Sequence, residues 1–183
     1  MKPKKILFCD NSLRDLINFR GDVLNNYAAD GFEVVLVAPA TCEFHSDYPN
    51  MRYIPVEFNR SGMNPLKELE YMRTLYKIYR HERPDYIFHY TIKPNIYGTL
   101  AARFCHIRST AMIAGLGYVF NSSGLGNAIA RFLYRFAMHF SEHVLVLNTY
   151  NRDIVLKKGI ASSGQVILLS GGEGINLEQF RID

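Results

Sequence analysis

The chain has 183 residues, 21 Lys plus Arg against 17 Asp plus Glu, a formal charge of +4, and 48% hydrophobic and 21% charged residues. These proportions are ordinary for a globular domain and exclude a disordered tail, a coiled coil and a collagen-like repeat. No stretch reaches the ~20 apolar residues of a membrane span, the basic start Met1–Lys5 leads into too short an apolar run for a secretory signal, and so mild a charge gives no reason to expect a nucleic-acid partner.

Lys5–Cys9 is a short apolar run closed by Asp10-Asn11-Ser12, the pattern of a buried strand. Ser12 with Asp15 resembles a capping box, and a helix is expected to follow as far as Gly31, carrying Leu13, Ile17, Val23, Leu24 and Tyr27. Phe32–Ala38 is a second strand, stopped by Pro39. Arg52–Phe58 alternates and contains Pro55, which suits an edge strand. Asn64-Pro65 gives a cap and a first-turn proline to a helix with Leu66, Leu69, Met72, Tyr76 and Tyr79 at helical spacing, ended by Pro84. Asp85–Tyr90, Thr110–Ala114, His143–Asn148 and Gln165–Ser170 then read as strands, with helices expected over Pro94–His106, Leu125–Phe140 and Thr149–Lys158.

This alternation builds βαβ units and a parallel sheet. Right-handed crossovers then give a Rossmann-like, doubly wound α/β domain with helices on both faces, read as one domain over residues 1–183. Three cysteines, Cys9, Cys42 and Cys105, form no Cys-x-x-Cys pair. Neither a zinc site nor a disulfide framework is expected, and free buried thiols suit a reducing cytosol.

Ligands of such sheets bind beyond the carboxyl ends of the strands, so the loops there are where chemistry is sought. Asp10-Asn11-Ser12-Leu13 has no glycine, which disfavours NAD, NADP and FAD. There is no P-loop, no Gly-x-Ser-x-Gly elbow and no His-Glu-x-x-His, so neither cofactor nor metal is expected. Asn18 and Arg20 either bind an anion, for which a guanidinium is suited, or belong to a solvated helix face. The segment His89 to Asn95 sets His89, Thr91, Lys93 and Asn95 at a strand's end and a helix's start. Lys93 and that helix N-terminus favour a negatively charged ligand; His89 faces either the cleft or the sheet. Gly115 and Gly117, beside Tyr118, let backbone approach a ligand or a neighbouring loop.

The segment from Leu125 to Phe140 carries Leu125, Ile129, Phe132, Phe136 and Phe140 as one stripe, with Arg131, Tyr134, Arg135, Met138 and His139 off it. Two readings stay open: a core-facing stripe with a solvated back, or a basic, aromatic helix that touches an anionic membrane surface. Tyr71, Arg73, Tyr76, Lys77, Tyr79 and Arg80 repeat the theme on the earlier helix.

Asn18-Phe19-Arg20, then IFHYTIKPNIYGTLAAR, IAGLGYVF, LVLNTYNRDIVL and LLSGGEGINLEQF, occur in that order between Lys4 and Phe180. Together they resemble the N-terminal half of a family-four glycosyltransferase of the GT-B fold, in the subgroup that serves capsular and other surface polysaccharides. The resemblance implies two facing Rossmann-like domains. The N-terminal one binds a lipid-linked or saccharide acceptor, often a polyprenyl-diphosphate sugar; the C-terminal one binds the nucleotide-sugar donor. It implies sugar transfer with retained anomeric configuration and no metal, at the cytoplasmic face of a membrane to which the protein attaches peripherally. The candidate substrate-binding residues are Asn18, Arg20, His89, Thr91, Lys93, Asn95, Gly115, Gly117 and Tyr118; no catalytic residue is assigned. Many relatives carry a His where this chain has Thr91, which can hydrogen-bond a sugar hydroxyl but is no general base at neutral pH. The family's donor-domain signature, two glutamates eight positions apart, is absent from this sequence, so the donor half is expected to be missing from the chain. Gln179–Asp183, with neither helical cap nor polar tail, favours a truncation. The alternative is a natural one-domain acceptor-binding, membrane-recruiting subunit that partners a separate catalytic chain.

Overall fold

A computed structural model describes residues 4–57, 64–115 and 125–171. Among these residues seven strands form one sheet: β1 (Lys5–Cys9), β2 (Glu33–Ala38), β3 (Met51–Pro55), β4 (Tyr86–Tyr90), β5 (Ser109–Ile113), β6 (His143–Val146) and β7 (Val166–Leu168). All neighbours run parallel, in the order β3-β2-β1-β4-β5-β6-β7. The expected doubly wound α/β domain is what the chain adopts, and β3, which holds Pro55, is an edge strand.

The helices are α1 (Leu13–Ala29), α2 (Pro65–Glu82), α3 (Thr99–Phe104), α4 (Leu125–Met138) and α5 (Thr149–Lys157). The starts of α1, α2 and α5 follow from capping chemistry. Ser12 Oγ accepts from Asp15 N at 3.2 Å, Asn64 Oδ1 from Leu66 N at 3.0 Å, and Asn148 Oδ1 from Asn151 N at 2.8 Å. After α1 the chain turns at Gly31, where φ is +83°, a region glycine enters at little cost. The single helix expected over Pro94–His106 is instead a π-helical turn, Pro94–Gly98, that runs into the short α3. The last strand is shorter than its sequence suggests, three residues within Gln165–Ser170.

Strand alternation divides the core between the two faces. Ile6 and Phe8 of β1 pack with α1 residues Leu13, Leu16 and Leu24. Leu7 and Cys9 point the other way, into a cluster with Tyr71, Leu75 and Tyr79 of α2 and Ala101 and Ala102 of α3. A third cluster joins Ala111, Ile113, Val144 and Val146 to Tyr134, Ala137 and Met138 of α4 and Val155 of α5. Each fully buried aliphatic side chain here contributes about 1.5–3 kcal/mol.

Two helices turn a different face inward from the one their apolar spacing suggested. On α2 the buried residues are Glu68, Tyr71, Leu75, Tyr79 and Glu82, while Leu66 is 78% exposed. Glu68 and Glu82 can be buried because cations from elsewhere in the fold meet them: Lys93 the first, Lys5 and Arg52 the second. On α4 the stripe of Ile129, Phe132 and Phe136 faces outward, at 53%, 67% and 49% exposure. The core-facing reading of that stripe is corrected: Tyr134 and Met138, which lie off it, are the residues that pack inward, with Ala137. The side chain of Leu125 lies outside the described residues.

Candidate active site

β1 leads by way of α1 to β2 on one side, and β4 leads to β5 on the other. The sheet therefore reverses its direction of winding between β1 and β4, and a crevice opens beyond their carboxyl ends. There the ends of β1, β4 and β5 and the inner face of α4 enclose a cavity of about 370 Å³, lined by Asn11, Arg20, Tyr90, Thr91, Ile92, Lys93, Asn95, Met112, Ile113, Ala114, Gly115 and Tyr134. A broader concavity of about 1030 Å³ adjoins it at the ends of β2 and β3, against α2. Lys93 lines both.

Arg20, Thr91, Lys93, Asn95 and Gly115 are thus brought to one wall. Arg20 reaches it from α1, is 9% exposed, and sets its guanidinium over the Tyr90 ring at 4.4 Å. It also donates to Asp15 O at 3.5 Å and to Met112 Sδ at 3.9 Å. Lys93 Nζ lies 2.6 Å from Glu68 Oε1, with both side chains largely buried. Its expected pull on an anionic ligand is therefore offset from within the protein. Asn95, 1% exposed, donates from Nδ2 to Met112 O at 2.8 Å and to Tyr134 Oη at 3.0 Å, while its Oδ1 is buried without a partner.

Thr91 has φ +67°. A β-branched residue in the left-handed region is strained, by on the order of 1–3 kcal/mol. Its hydroxyl donates to Tyr90 O at 2.5 Å and lies 3.4 Å from Asp10 Oδ1. Asp10, at the end of β1, is fully buried, and its Oδ2 has no partner. Burial pushes its carboxyl up to about 6, against the opposing pull of the Arg20 guanidinium.

The other candidates lie elsewhere. His89 faces the sheet interior: it is fully buried, and its ring nitrogens sit 3.1 Å from Tyr79 Oη and 3.3 Å from Thr99 Oγ1. Desolvation pushes it down to about 3, so it is neutral, and it is not on the cavity wall. Asn18 is half-buried on α1 and does not line the cavity. Gly117 and Tyr118 lie outside the described residues, as do Leu116, the loop 121–124 and the segment from Gly172 to Phe180. Among the described residues no cluster of three or more His, Cys, Asp or Glu is placed to hold a metal ion.

Sequence reasoning missed Asp10, Glu68 and Tyr134. Asp10 had one signal, an acid that directly follows an apolar strand. Tyr134 had another, since with Ala137 and Met138 it forms a second apolar stripe on its helix. Glu68 looked like an ordinary surface residue, because its partner is 25 residues away in sequence.

Residues 5–148 match the sequence family described as glycosyl transferase 4-like. The chain is 25% identical to the N,N'-diacetylbacillosaminyl-diphospho-undecaprenol alpha-1,3-N-acetylgalactosaminyltransferase of Campylobacter jejuni, over 96% of this chain and 48% of that protein. Its fold is similar to that of a glycosyltransferase from Rickettsia africae (TM-score 0.64, 11% identity, 93% of this chain and 43% of that one). It is also similar to S. aureus MnaA, solved with UDP (TM-score 0.62, 16% identity, 98% and 48%). The chain spans about half the length of these relatives. With the family matched over most of its length and the all-parallel sheet matched in space, the chain belongs to the glycosyl transferase 4-like family and has the Rossmann-like fold of one half of a GT-B glycosyltransferase.

Proposed function

We propose that this chain is the acceptor-binding, N-terminal half of a retaining sugar transferase. The whole protein moves a glycosyl group from a nucleotide sugar to a lipid-linked acceptor during synthesis of a surface polysaccharide such as a capsule. The observation that carries this reading is the placement of α4. Its inner face, through Tyr134, closes the cavity at the strand ends, and its outer face exposes Ile129, Phe132 and Phe136 beside Arg131 and Arg135. A helix of that kind suits peripheral attachment to an anionic membrane surface. The cytoplasmic leaflet attracts basic residues by about 1 kcal/mol each, and a site behind such a helix lies where a lipid-linked acceptor is. No described helix is long and apolar enough to cross a membrane. The Campylobacter relative, by its name, acts on an undecaprenyl-diphosphate-linked sugar, and MnaA was solved with UDP; both support the reading.

In this reading Arg20, Thr91, Lys93, Asn95 and Gly115 bind acceptor, Asn18 flanks it, and His89 supports the wall from beneath; Gly117 and Tyr118 lie outside the described residues. Donor binding comes from a second domain, in the same chain or on a partner chain. The test is transfer from a panel of UDP-sugars to polyprenyl-diphosphate-linked sugars. The 183-residue chain alone is expected to turn over none of them, and the protein that includes a donor domain is expected to transfer one with retention. Turnover by the chain alone, or inversion at the anomeric carbon, overturns the proposal.

A further inference from the structure

The cavity behind α4 contains two cationic side chains, and the protein counters both. Lys93 is held by Glu68 at 2.6 Å. Arg20 sets its guanidinium over the Tyr90 ring at 4.4 Å, donates to Asp15 O and Met112 Sδ, and lies within the electrostatic reach of the buried Asp10. A site made for a diphosphate keeps its cations available for charge-assisted bonds; here they are matched before any ligand arrives. Among the described residues of the cavity wall the buried side-chain atoms without a hydrogen-bond partner are Asn95 Oδ1, an acceptor, and Arg20 Nε, whose guanidinium is engaged through its other nitrogens and over the Tyr90 ring.

The direction of that amide is dictated by its surroundings. Met112 O is a backbone carbonyl and can only accept, so the atom 2.8 Å from it is the NH2 group. The second amide proton goes to Tyr134 Oη at 3.0 Å. Both donors are spent on the scaffold, the plane of the amide is fixed, and Oδ1 is left as a pre-positioned acceptor. Buried acceptors without partners are rare in native proteins and call for an explanation. Ile92, Met112 and Ile113 give the cavity an apolar side that suits the C–H faces of a ring. The volume of about 370 Å³ is at the small end of ligand pockets.

We propose that this cavity takes an uncharged sugar ring of the acceptor, one of whose hydroxyl or acetamido N–H groups donates to Asn95 Oδ1, and that the acceptor's diphosphate lies outside it. The inference rests on the sugar-transfer reading above and makes Asn95 a specificity residue for the acceptor sugar.

The test uses the isotopically labelled 183-residue chain and NMR titration with methyl glycosides of glucose, galactose and their N-acetylamino counterparts, and separately with inorganic pyrophosphate, each at about 10 mM, above a millimolar dissociation constant. At least one glycoside is expected to move the Asn95 side-chain amide and the Thr91 and Gly115 backbone amides, with pyrophosphate neither moving them nor competing. Singly deoxygenated or deacetamido versions of that glycoside should bind at least about tenfold more weakly when one particular group is removed, as expected where a buried acceptor is left unpaired. This readout needs no change to the protein. Asn95→Ala should weaken the glycoside by a similar factor while the remaining resonances keep their dispersion. Pyrophosphate that saturates these resonances or displaces the sugar, no response to any glycoside, or equal tolerance of every deletion overturns the inference. If a donor-domain-containing protein still transfers sugar in those cases, the reading of function survives alone; if it transfers none, that reading falls instead.

Discussion

Gly98 has no room for a side chain. A Cβ there would lie 2.5 Å from His89 Cδ2, 2.6 Å from His89 Nε2 and 3.1 Å from Tyr79 Oη. Overpacking of this kind costs typically about 1–3 kcal/mol, so Gly98→Ala should lower the urea midpoint at unchanged slope. In the background of His89→Ala, where the ring is gone, the same substitution should cost clearly less. Equal costs in the two backgrounds would show that the ring is not the obstacle, since contacting residues are those that fail to add. Asp10 and His89 give stability opposite pH dependences. His89 falls from 6.5 to about 3 on folding, so the unfolded chain binds the extra proton and stability drops as pH falls below 6.5. Asp10 rises from 3.8 to about 6, so its contribution is intact below 3.8 and is lost as pH rises through 6. Asp10→Asn removes that loss and should gain about 2–3 kcal/mol on wild type between pH 3 and pH 7, at about 1.4 kcal/mol per unit. Chemical denaturation at several pH values measures the gain; a difference that does not vary with pH would mean that Asp10 is not held protonated by burial. Neither residue's environment was legible beforehand. His89 and Tyr90 are adjacent on a strand covered on both faces, so polarity alone could not say which way the imidazole turned.

At the scale of elements, α4 separates two kinds of apolar stripe. Ile129, Phe132 and Phe136 point outward, with Phe132 and Phe136 rings stacked at 6.4 Å and Phe136 edge-on to Phe140 at 5.1 Å. Arg103 of α3 sits over Phe140 at 5.7 Å, and Phe104 beside it is 63% exposed, so the aromatic surface continues onto the neighbouring helix. Charge placed on the outer stripe should leave the fold nearly untouched, because exposed substitutions stay within about 0.5 kcal/mol. Met138→Ala on the inner face should cost about 2–5 kcal/mol. Phe132→Glu with Phe136→Glu is accordingly expected to keep the thermal midpoint while abolishing sedimentation with anionic liposomes at low salt; retained sedimentation would mean that α4 is not the contact. Periodicity found both the helix and its stripe, yet it could not say which stripe packs. That choice was made by the neighbours: the π-helical turn, through Asn95, bonds Tyr134, and β5 and β6 leave space for Ala137 and Met138. The same limit explains the shifted face of α2, whose ends are set by ion pairs with Lys93, Lys5 and Arg52. The distant partners of Glu68 and Glu82 leave no mark in local spacing.

For the molecule as a whole, the parallel sheet was legible because every strand is a short apolar run bounded by turn residues and separated from the next by a helix or a long connection. Its site was legible only in part: strand-end loops announce themselves, whereas contributions from helix interiors, such as Tyr134, depend on how the layers meet. The sheet's winding has a further consequence. β1 pairs with β2 and with β4, but the second partner begins only at Tyr86, while β3 is complete at Pro55. During synthesis the first three strands can assemble early and must then wait for 31 residues (86 − 55) with one side of β1 unpaired. At 5–20 residues per second that interval lasts roughly 2–6 s. An open, apolar strand edge is a template for self-association, so on the ribosome this interval is when the nascent chain most needs shielding. Once β4 has docked, β5, β6 and β7 each add to an edge that already exists.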